Sequence, residues 1–341
     1  MKILVTGGAG YIGGTVAGLL SEKGHQAVVF DNLSHGRRDL LPPGVEFVQG
    51  ELADRLAIEN LFIEALDLGC PFDGVLHFAA LIEAGESMVR PEIFFRNNTA
   101  ATLSLFEAML AHGPRRIVFS STAAVYGEPE SIPIQEDARL LPTNPYGESK
   151  LLVEKVLAWM NRIHGLRYAS LRYFNVAGAP EGPGGVIRRG EAHEPESHLI
   201  PLVLDVALGR RDSIKIFGDD YPTADGTCIR DYIHVSDLAD AHLLALEALN
   251  KPQSSAAHLA PLIYNLGNGK GFSVREVIDS ARRVTGHPIP VEIHPRRAGD
   301  PAVLVASSEK AIRELAWKPR YTELDEIVRT AWIWHQKRYT V

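Results

Sequence analysis

Short apolar runs alternate with longer mixed stretches along the first half of this chain, and that alternation predicts its architecture. Ile3-Leu4-Val5 is the first run, and Gln26 to Phe30, Val45 to Val48, Gly74 to His77 and Arg116 to Ser120 follow it at intervals. Runs this short and apolar, closed by polar or small residues, read as strands buried on both faces. Between them Thr15 to Ser21, Ala53 to Leu66 and Glu92 to His112 read as helices. Strands separated by helices build a doubly wound α/β fold on a parallel sheet, whose ligand lies outside the carboxyl ends of the strands. The chain puts unusual small and polar residues at those ends: Glu51, His77-Phe78-Ala79-Ala80 and Ser120-Ser121-Thr122.

The second half follows a looser rhythm. Gly178 to Glu196 is rich in glycine, proline and charge and reads as a long loop, followed by a helix over Leu199 to Leu208. A strand and helix are expected within Asp231 to Asn250, a connecting loop over Lys251 to Leu262, and a strand over Ile263 to Leu266. Ser273 to Thr285 reads as an amphipathic helix. Glu323 to Gln336 reads as the last helix, with Trp332 and Trp334 as packing residues. The expected organisation is a nucleotide-binding domain over residues 1–174, rejoined by about 231–260. A smaller α/β domain is expected over 175–230 and 261–341.

Chemistry enters at the first turn. Thr6-Gly7-Gly8-Ala9-Gly10-Tyr11-Ile12-Gly13 leads from strand to helix with the spacing Gly7-x-x-Gly10-x-x-Gly13. Such a turn brings backbone N–H groups and a positive dipole end against a pyrophosphate. Gly7 permits the turn, Gly10 lets phosphates approach the main chain, and Gly13 lets the helix pack closely. The second strand ends on Asp31, where a carboxylate grips the adenosine ribose hydroxyls and repels a 2′-phosphate. Arg37 and Arg38 follow in a loop and favour such a phosphate, but Asp31 is better placed, so NAD is expected over NADP.

Composition narrows the class. With 341 residues the chain can hold a large and a smaller domain, and 45% hydrophobic with 23% charged residues is the mix of an ordinary globular protein. A net charge of −7 with no basic run excludes a nucleic-acid surface. No run approaches the roughly 20 apolar residues that span a bilayer, and the segment after Lys2 is too short for a signal peptide, so no membrane partner is expected. Cys70 and Cys228 stand far apart without metal-ligand spacing. They indicate a reducing, cytoplasmic setting, and no metal is expected.

The second centre of chemistry is Asn144-Pro145-Tyr146-Gly147-Glu148-Ser149-Lys150. Asn144 can cap a helix and Pro145 suits its first position. Tyr146 and Lys150 then share one helical face about a turn apart. An ammonium beside a phenol favours the phenolate, and the helix N-terminus acts in the same direction, so Tyr146 is expected to serve as a general base near neutral pH. A lone Tyr-x-x-x-Lys pair is more often a solvated helix face. Here it follows a strand that ends in hydroxyls, and Thr122 can share the transferred proton.

These three features, the glycine turn, the Ser120-Ser121-Thr122 strand end and Tyr146-x-x-x-Lys150, resemble the extended short-chain dehydrogenase/reductase family. Leu171-Arg172-Tyr173-Phe174-Asn175, Ile216-Phe217-Gly218-Asp219-Asp220-Tyr221-Pro222-Thr223 and the stretch from Asp225 to Val235 are similar to its UDP-glucose 4-epimerase branch over nearly the whole chain. The resemblance implies a Rossmann-like fold, a bound NAD, a homodimer formed through the helices from Glu92 and Tyr146, and reversible C4 epimerisation of UDP-hexoses through a 4-keto sugar. Tyr146 is the implied base, Thr122 its helper, and Lys150 the residue that binds the nicotinamide ribose and lowers the phenol pKa. Gly10, Tyr11 and Ile12 would meet the pyrophosphate, and Asp31 and Asn32 the adenosine ribose. Leu52, Phe78, Ala79, Ala80, Asn97, Tyr173 and Phe174 match further cofactor positions. Asn175, Leu199, Phe217, Arg230, Arg297 and Asp300 match positions that hold the nucleotide sugar, with both arginines suited to a diphosphate.

Four positions depart from that pattern. Glu51 stands where an aspartate usually meets the adenine, and Ile82 where some members carry a lysine. His198 replaces an asparagine in the sugar region. Leu304 replaces a bulky tyrosine that excludes N-acetylated sugars in some members, so UDP-N-acetylglucosamine is an expected second substrate. A nucleotide-sugar 4,6-dehydratase would carry an Asp-Glu pair after the strand-end hydroxyl, where this chain has Ala123-Ala124. A UDP-glucuronate 4-epimerase stays open, separable by assay with the acid sugar. An NAD-sensing regulator should have lost Tyr146 or Lys150, and both are present.

Overall fold

The computed structural model describes residues 1–251, 260–297 and 299–339. The connecting loop expected over Lys251 to Leu262 lies, for residues 252–259, outside the described residues. In chain order the elements begin β1 (Lys2–Thr6), α1 (Tyr11–Glu22), β2 (Gln26–Asp31), β3 (Glu46–Gln49), α2 (Arg55–Asp67), β4 (Gly74–His77), α3 (Ala84–Ser87) and α4 (Pro91–Phe94). They continue with α5 (Ala101–Ala111), β5 (Arg116–Thr122), α6 (Pro145–His164), β6 (Arg167–Tyr173), β7 (Asn175–Ala177), α7 (Leu199–Ala207), β8 (Ile214–Phe217) and β9 (Ile229–His234). The last are α8 (Val235–Asn250), β10 (Leu262–Leu266), β11 (Gly271–Ser273), α9 (Val274–Thr285), β12 (Val291–His294), β13 (Val303–Leu304), α10 (Glu309–Leu315) and α11 (Leu324–Tyr339).

Two compact units share this chain. The first combines Met1–Gly127, Leu140–Arg172 and Ala239–Tyr264, and the second the intervening and C-terminal stretches Glu128–Arg139, Tyr173–Leu238 and Asn265–Val341. A seven-stranded sheet in the order β10-β6-β5-β4-β1-β2-β3 organises the first unit. β1 runs parallel to β2 and β4, with Thr6 opposite Phe30 and His77, so three strand ends lie side by side. The order reverses between β1 and β4, which is where a doubly wound sheet opens a crevice for a ligand. Leu4, Val28, Phe62, Phe106, Ile117 and Leu157 pack one core layer, each at most 2% exposed. Each such side chain contributes on the order of 1.5–3 kcal/mol.

Local chemistry explains the helix ends. Asp54 accepts from Ala57 N at 3.1 Å to cap α2, and Asn144 Oδ1 accepts from Gly147 N at 2.8 Å to cap α6, with Pro145 at the first position. The helix expected over Glu92 to His112 is broken by a π-helical turn at Phe95–Ala100 between α4 and α5.

The second unit is built around β9, which pairs parallel with β7 and β13 and antiparallel with β11. Its core joins α7, α9 and α11 through Val203, Val277, Ile327 and Val328. Trp332 closes that core, while the buried Trp334 donates from Nε1 to the Glu191 carbonyl at 2.7 Å. This placement of β9 corrects the expected return to the first domain at residue 231, because the first unit resumes only at Ala239. The reason is the buried Asp231 carboxylate, which accepts N–H groups from Asn268 at 2.6 Å, Gly269 at 3.0 Å and Ala306 at 3.1 Å. Three backbone amides that only the second unit supplies hold the strand there.

Candidate active site

The loop from β1 into α1 forms a cradle that only small residues allow. Gly7 sits at φ +71°, and a Cβ there would lie 2.5 Å from Ala79 N. A Cβ on Gly13 would lie 2.4 Å from the Gly7 carbonyl oxygen. Gly10, the residue before α1, provides no side-chain cap, so the first turn of the helix presents backbone amides and a positive dipole end. These features suit the pyrophosphate of NAD.

At the end of β2 the buried Asp31 carboxylate accepts from Ala9 N at 3.0 Å and Leu33 N at 2.8 Å. Burial raises its pKa, and those two amides pull it back down. The contact with Ala9 locks the glycine turn to the strand end that would receive the ribose. Asn32 Nδ2 donates to Glu51 Oε2 at 3.1 Å, so Glu51 is already engaged beside its expected adenine position. Phe78 and Ala79 both donate N–H to the Thr6 carbonyl, at 2.9 and 3.1 Å, and the Phe78 ring packs 4.8 Å from that of His242. Leu52 packs against the core.

Thr122, Tyr146 and Lys150 lie around the end of β5. Lys150, 3% exposed, donates from Nζ to the Ser120 carbonyl at 2.8 Å. Burial lowers its pKa to about 7. The Tyr146 phenol is pushed up to about 12, first by burial and also by the charge of Glu83, while a hydrogen bond with Thr122 acts in the opposite sense. Loss of water thus opposes the phenolate that Lys150 and the helix N-terminus are expected to favour, and the amine itself is depressed. Thr122 Oγ1 also accepts from Ala124 N at 3.2 Å, which fixes its rotamer.

Buried polar contacts hold this arrangement. Asn98, on the π-turn, accepts from Leu81 N at 2.8 Å, donates to Leu81 O at 2.9 Å and donates to Ser149 Oγ at 3.1 Å. Asn97 Nδ2 donates to Asn98 Oδ1 at 2.9 Å. One face of the π-turn thus joins the segment after β4 to the helix that carries Tyr146. Beneath Thr122, Ser121 Oγ donates to Glu154 Oε1 at 2.5 Å, and Arg172 donates to both Glu154 oxygens at 3.0 and 2.6 Å. His77 lies between Thr6 Oγ1 at 2.6 Å and Thr102 Oγ1 at 2.9 Å. Thr102 spends its proton on the Asn98 carbonyl, so His77 donates from Nε2 and accepts at Nδ1. Burial, aided by Lys150, keeps that ring neutral, with a pKa of about 3.

In the second unit Arg230 pairs with Asp300 and donates to the Ile229 carbonyl at 2.7 Å, and Leu304 lies opposite Arg230 in the β13–β9 ladder. The Arg297 guanidinium stacks 4.0 Å over the Phe217 ring. Asn175, exposed, opens β7, and the mostly buried Phe174 donates N–H to the Leu266 carbonyl at 3.2 Å beside the half-buried Tyr173. Leu199 begins α7, and His198 just before it turns Nδ1 to Glu196 Oε1 at 2.8 Å.

Residues 3–267 match the NAD dependent epimerase/dehydratase family. The chain belongs to that family. A UDP-glucose 4-epimerase of Halalkalibacterium halodurans is 53% identical over 337 residues, 99% of this chain and 96% of the relative. The crystal structure of a UDP-glucose 4-epimerase from Brucella ovis in complex with NAD is 42% identical with a TM-score of 0.89, covering 97% of each chain. That of the Bifidobacterium longum UDP-glucose 4-epimerase with NAD+ and UDP is 36% identical with a TM-score of 0.89, covering 100% of this chain and 99% of that one.

For this epimerase/dehydratase family member, reasoning from sequence missed three groups. The Asn98 clamp depends on a π-turn that residue periodicity does not reveal. The Glu154–Arg172 pair joins residues 18 apart, with no local signal beyond two charges in apolar surroundings. Glu191, His193, Glu196 and His198 converge within one loop, and the run of alternating carboxylates and imidazoles was its visible signal.

Proposed function

We propose that this chain is an NAD-dependent UDP-hexose 4-epimerase that interconverts UDP-glucose and UDP-galactose. The observation that carries the reading is the meeting of Tyr146, Thr122 and Lys150 at the strand end of a unit whose glycine turn suits a dinucleotide. The kinship to UDP-glucose 4-epimerases over nearly the full chain supports the same substrate. NAD, when bound, supplies the acceptor and later the donor of the C4 hydride.

The residues then do the following. The Tyr146 oxygen takes the proton of the sugar 4-hydroxyl, with the Thr122 hydroxyl sharing the hydrogen bond, as the C4 hydride leaves and a 4-keto sugar forms. The same phenol returns the proton after the hydride has been delivered to the opposite face of the keto carbon. Lys150, held by the Ser120 carbonyl, supplies positive charge beside the phenolate and a donor for the nicotinamide ribose. Asp31 and Asn32 take the adenosine ribose, with Leu52, Ala80 and Asn97 lining the cofactor. Arg230 and Arg297 take the diphosphate through their guanidinium forks, so the nucleotide stays anchored while the keto sugar turns over. The first unit binds the dinucleotide and the second the nucleotide sugar.

The chain acts as a cytoplasmic homodimer in this reading. Leu103 on α5 and Trp159 and Ile163 on α6 expose apolar surface, at 37%, 58% and 64%, as a helix-to-helix interface requires. Among the described residues no helix is long and apolar enough to cross a membrane. The test is incubation of purified protein with UDP-galactose and no added NAD. UDP-glucose should accumulate to an equilibrium mixture. A product that has lost water, or no reaction, refutes the assignment.

A further inference from the structure

The loop ahead of α7 gathers four side chains, of which only His198 falls at a position of the expected sugar region. Glu191, His193, Glu196 and His198 each direct one potential ligand atom inward, and these four atoms all lie within 4.8 Å of one another. His193 Nδ1 lies against Glu191 Oε1, and His198 Nδ1 lies 2.8 Å from Glu196 Oε1. The two rings face each other with centroids 5.5 Å apart, so the two imidazole–carboxylate pairs form one cluster rather than two separate ion pairs. His193 Nδ1 is sealed from solvent and has no well-directed hydrogen bond.

We propose that Glu191, His193, Glu196 and His198 bind one divalent transition-metal cation, with zinc the best-matched ion. Two neutral imidazoles and two carboxylates carry a formal charge that a dication cancels, and nitrogen–oxygen sets of this kind suit a tetrahedral ion. Bonds of about 2.0–2.2 Å place tetrahedral ligand atoms about 3.4 Å apart, within reach of small side-chain rotations from the present spacing. Four protein ligands leave no open position, so the ion is structural rather than catalytic. The backbone around it is already anchored: Trp334 Nε1 donates to the Glu191 carbonyl at 2.7 Å and Arg338 to the same oxygen at 3.2 Å. At the other end His198 leads directly into α7. The ion would tie both ends of the segment together.

The test reads metal alone, so its outcome does not depend on the proposed epimerisation. Full-length protein is stripped with a chelator and titrated with Co2+, then with Zn2+. One equivalent of Co2+ should give the visible absorption of a tetrahedral nitrogen–oxygen site, and one equivalent of Zn2+ should bleach it. The double variant His193→Ala/His198→Ala should lose the band, and Glu191→Gln should weaken binding at least about tenfold. His112→Ala, an exposed histidine elsewhere, should match the parent. Circular dichroism of each variant separates loss of ligands from loss of fold, and Glu196→Gln gives a second single-atom change. A weak octahedral spectrum, binding that does not saturate at one equivalent, or equal binding by a folded double variant overturns the proposal.

Discussion

Breaking the Glu154–Arg172 pair from either side should destabilise the first unit about as much as removing the pair altogether. Arg172 is 2% and Glu154 6% exposed, and two charge-assisted hydrogen bonds join them. Burial opposes the guanidinium charge, but Glu154 outweighs it and holds the Arg172 pKa above its ordinary value. Glu154→Gln leaves a buried cation with a neutral partner, and Arg172→Met leaves a buried anion, each costing about 3–5 kcal/mol. The double variant Glu154→Leu/Arg172→Met removes both charges and leaves only neutral groups without partners. Those are the Ser121 hydroxyl and the Tyr126 hydroxyl that Arg172 reaches at 3.0 Å, at about 1–3 kcal/mol each. At the middle of each range the two single losses total about 8 kcal/mol against about 4 for the double, so the effects are non-additive by about 4 kcal/mol. Urea unfolding at pH 7, with the slope checked for constancy, measures all three. A Glu154→Gln variant within about 1 kcal/mol of the parent, or additive losses, refutes the reasoning. Because Ser121 precedes Thr122, and Glu154 lies one turn beyond Lys150 on α6, turnover in Glu154→Gln should fall even under conditions where the protein stays folded.

Four other outcomes are expected. Tyr146→Phe should lower kcat by about 10²–10⁴ while bound NAD, read from its absorbance after denaturation, is retained; near-normal turnover would remove Tyr146 as the base. Gly13→Ala drives a methyl into the Gly7 carbonyl, 2.4 Å away, so it should cost about 1–3 kcal/mol in thermal unfolding and strip the copurified dinucleotide. His77 and His234 are buried neutral with pKa values of about 3, so the stability they lend is full above the unfolded value near 6.5 and is lost as pH falls. Between pH 7 and 5 they remove about 4 kcal/mol, and Asp231, raised to about 6 and protonated more readily when folded, returns about 1.4. A net loss of about 2–3 kcal/mol should appear in urea melts, and unchanged stability at pH 5 would contradict it. UDP-N-acetylglucosamine should be epimerised at a measurable rate through the room left by Leu304, an idea that fails if only the plain hexoses react.

The elements of the first unit were legible because each leaves a local mark. β4 was read to the residue, and the α6 start followed from Asn144 and Pro145. The meeting of Thr122, Tyr146 and Lys150 at one strand end was legible for the same reason, since the hydroxyl strand end and the Tyr-x-x-x-Lys spacing are short and local. β7, β11 and β13 have three residues or fewer, too short for periodicity to register, and they exist because β9 offers them edges. The owner of β9 was misread for a related cause: its apolar alternation suits either unit, and only the distant amides that bind Asp231 decide. The upward push on the Tyr146 pKa left no mark in the sequence, because the spacing to Lys150 is visible there, whereas loss of hydration is a property of the packed structure.

The place of β10 sets a timetable for synthesis. β6 sits between β5 and β10 in the sheet, yet β6 is finished at Tyr173 and β10 does not begin until Leu262. A ribosome adding about 5–20 residues each second needs about 4–18 s to cover that gap. Through that interval one side of β6 has no neighbour, and its unpaired N–H and C=O groups can zip onto any extended segment nearby. Slowing translation between residues 173 and 262 lengthens the exposure, so nascent chains of this enzyme should draw on chaperones most heavily in that window.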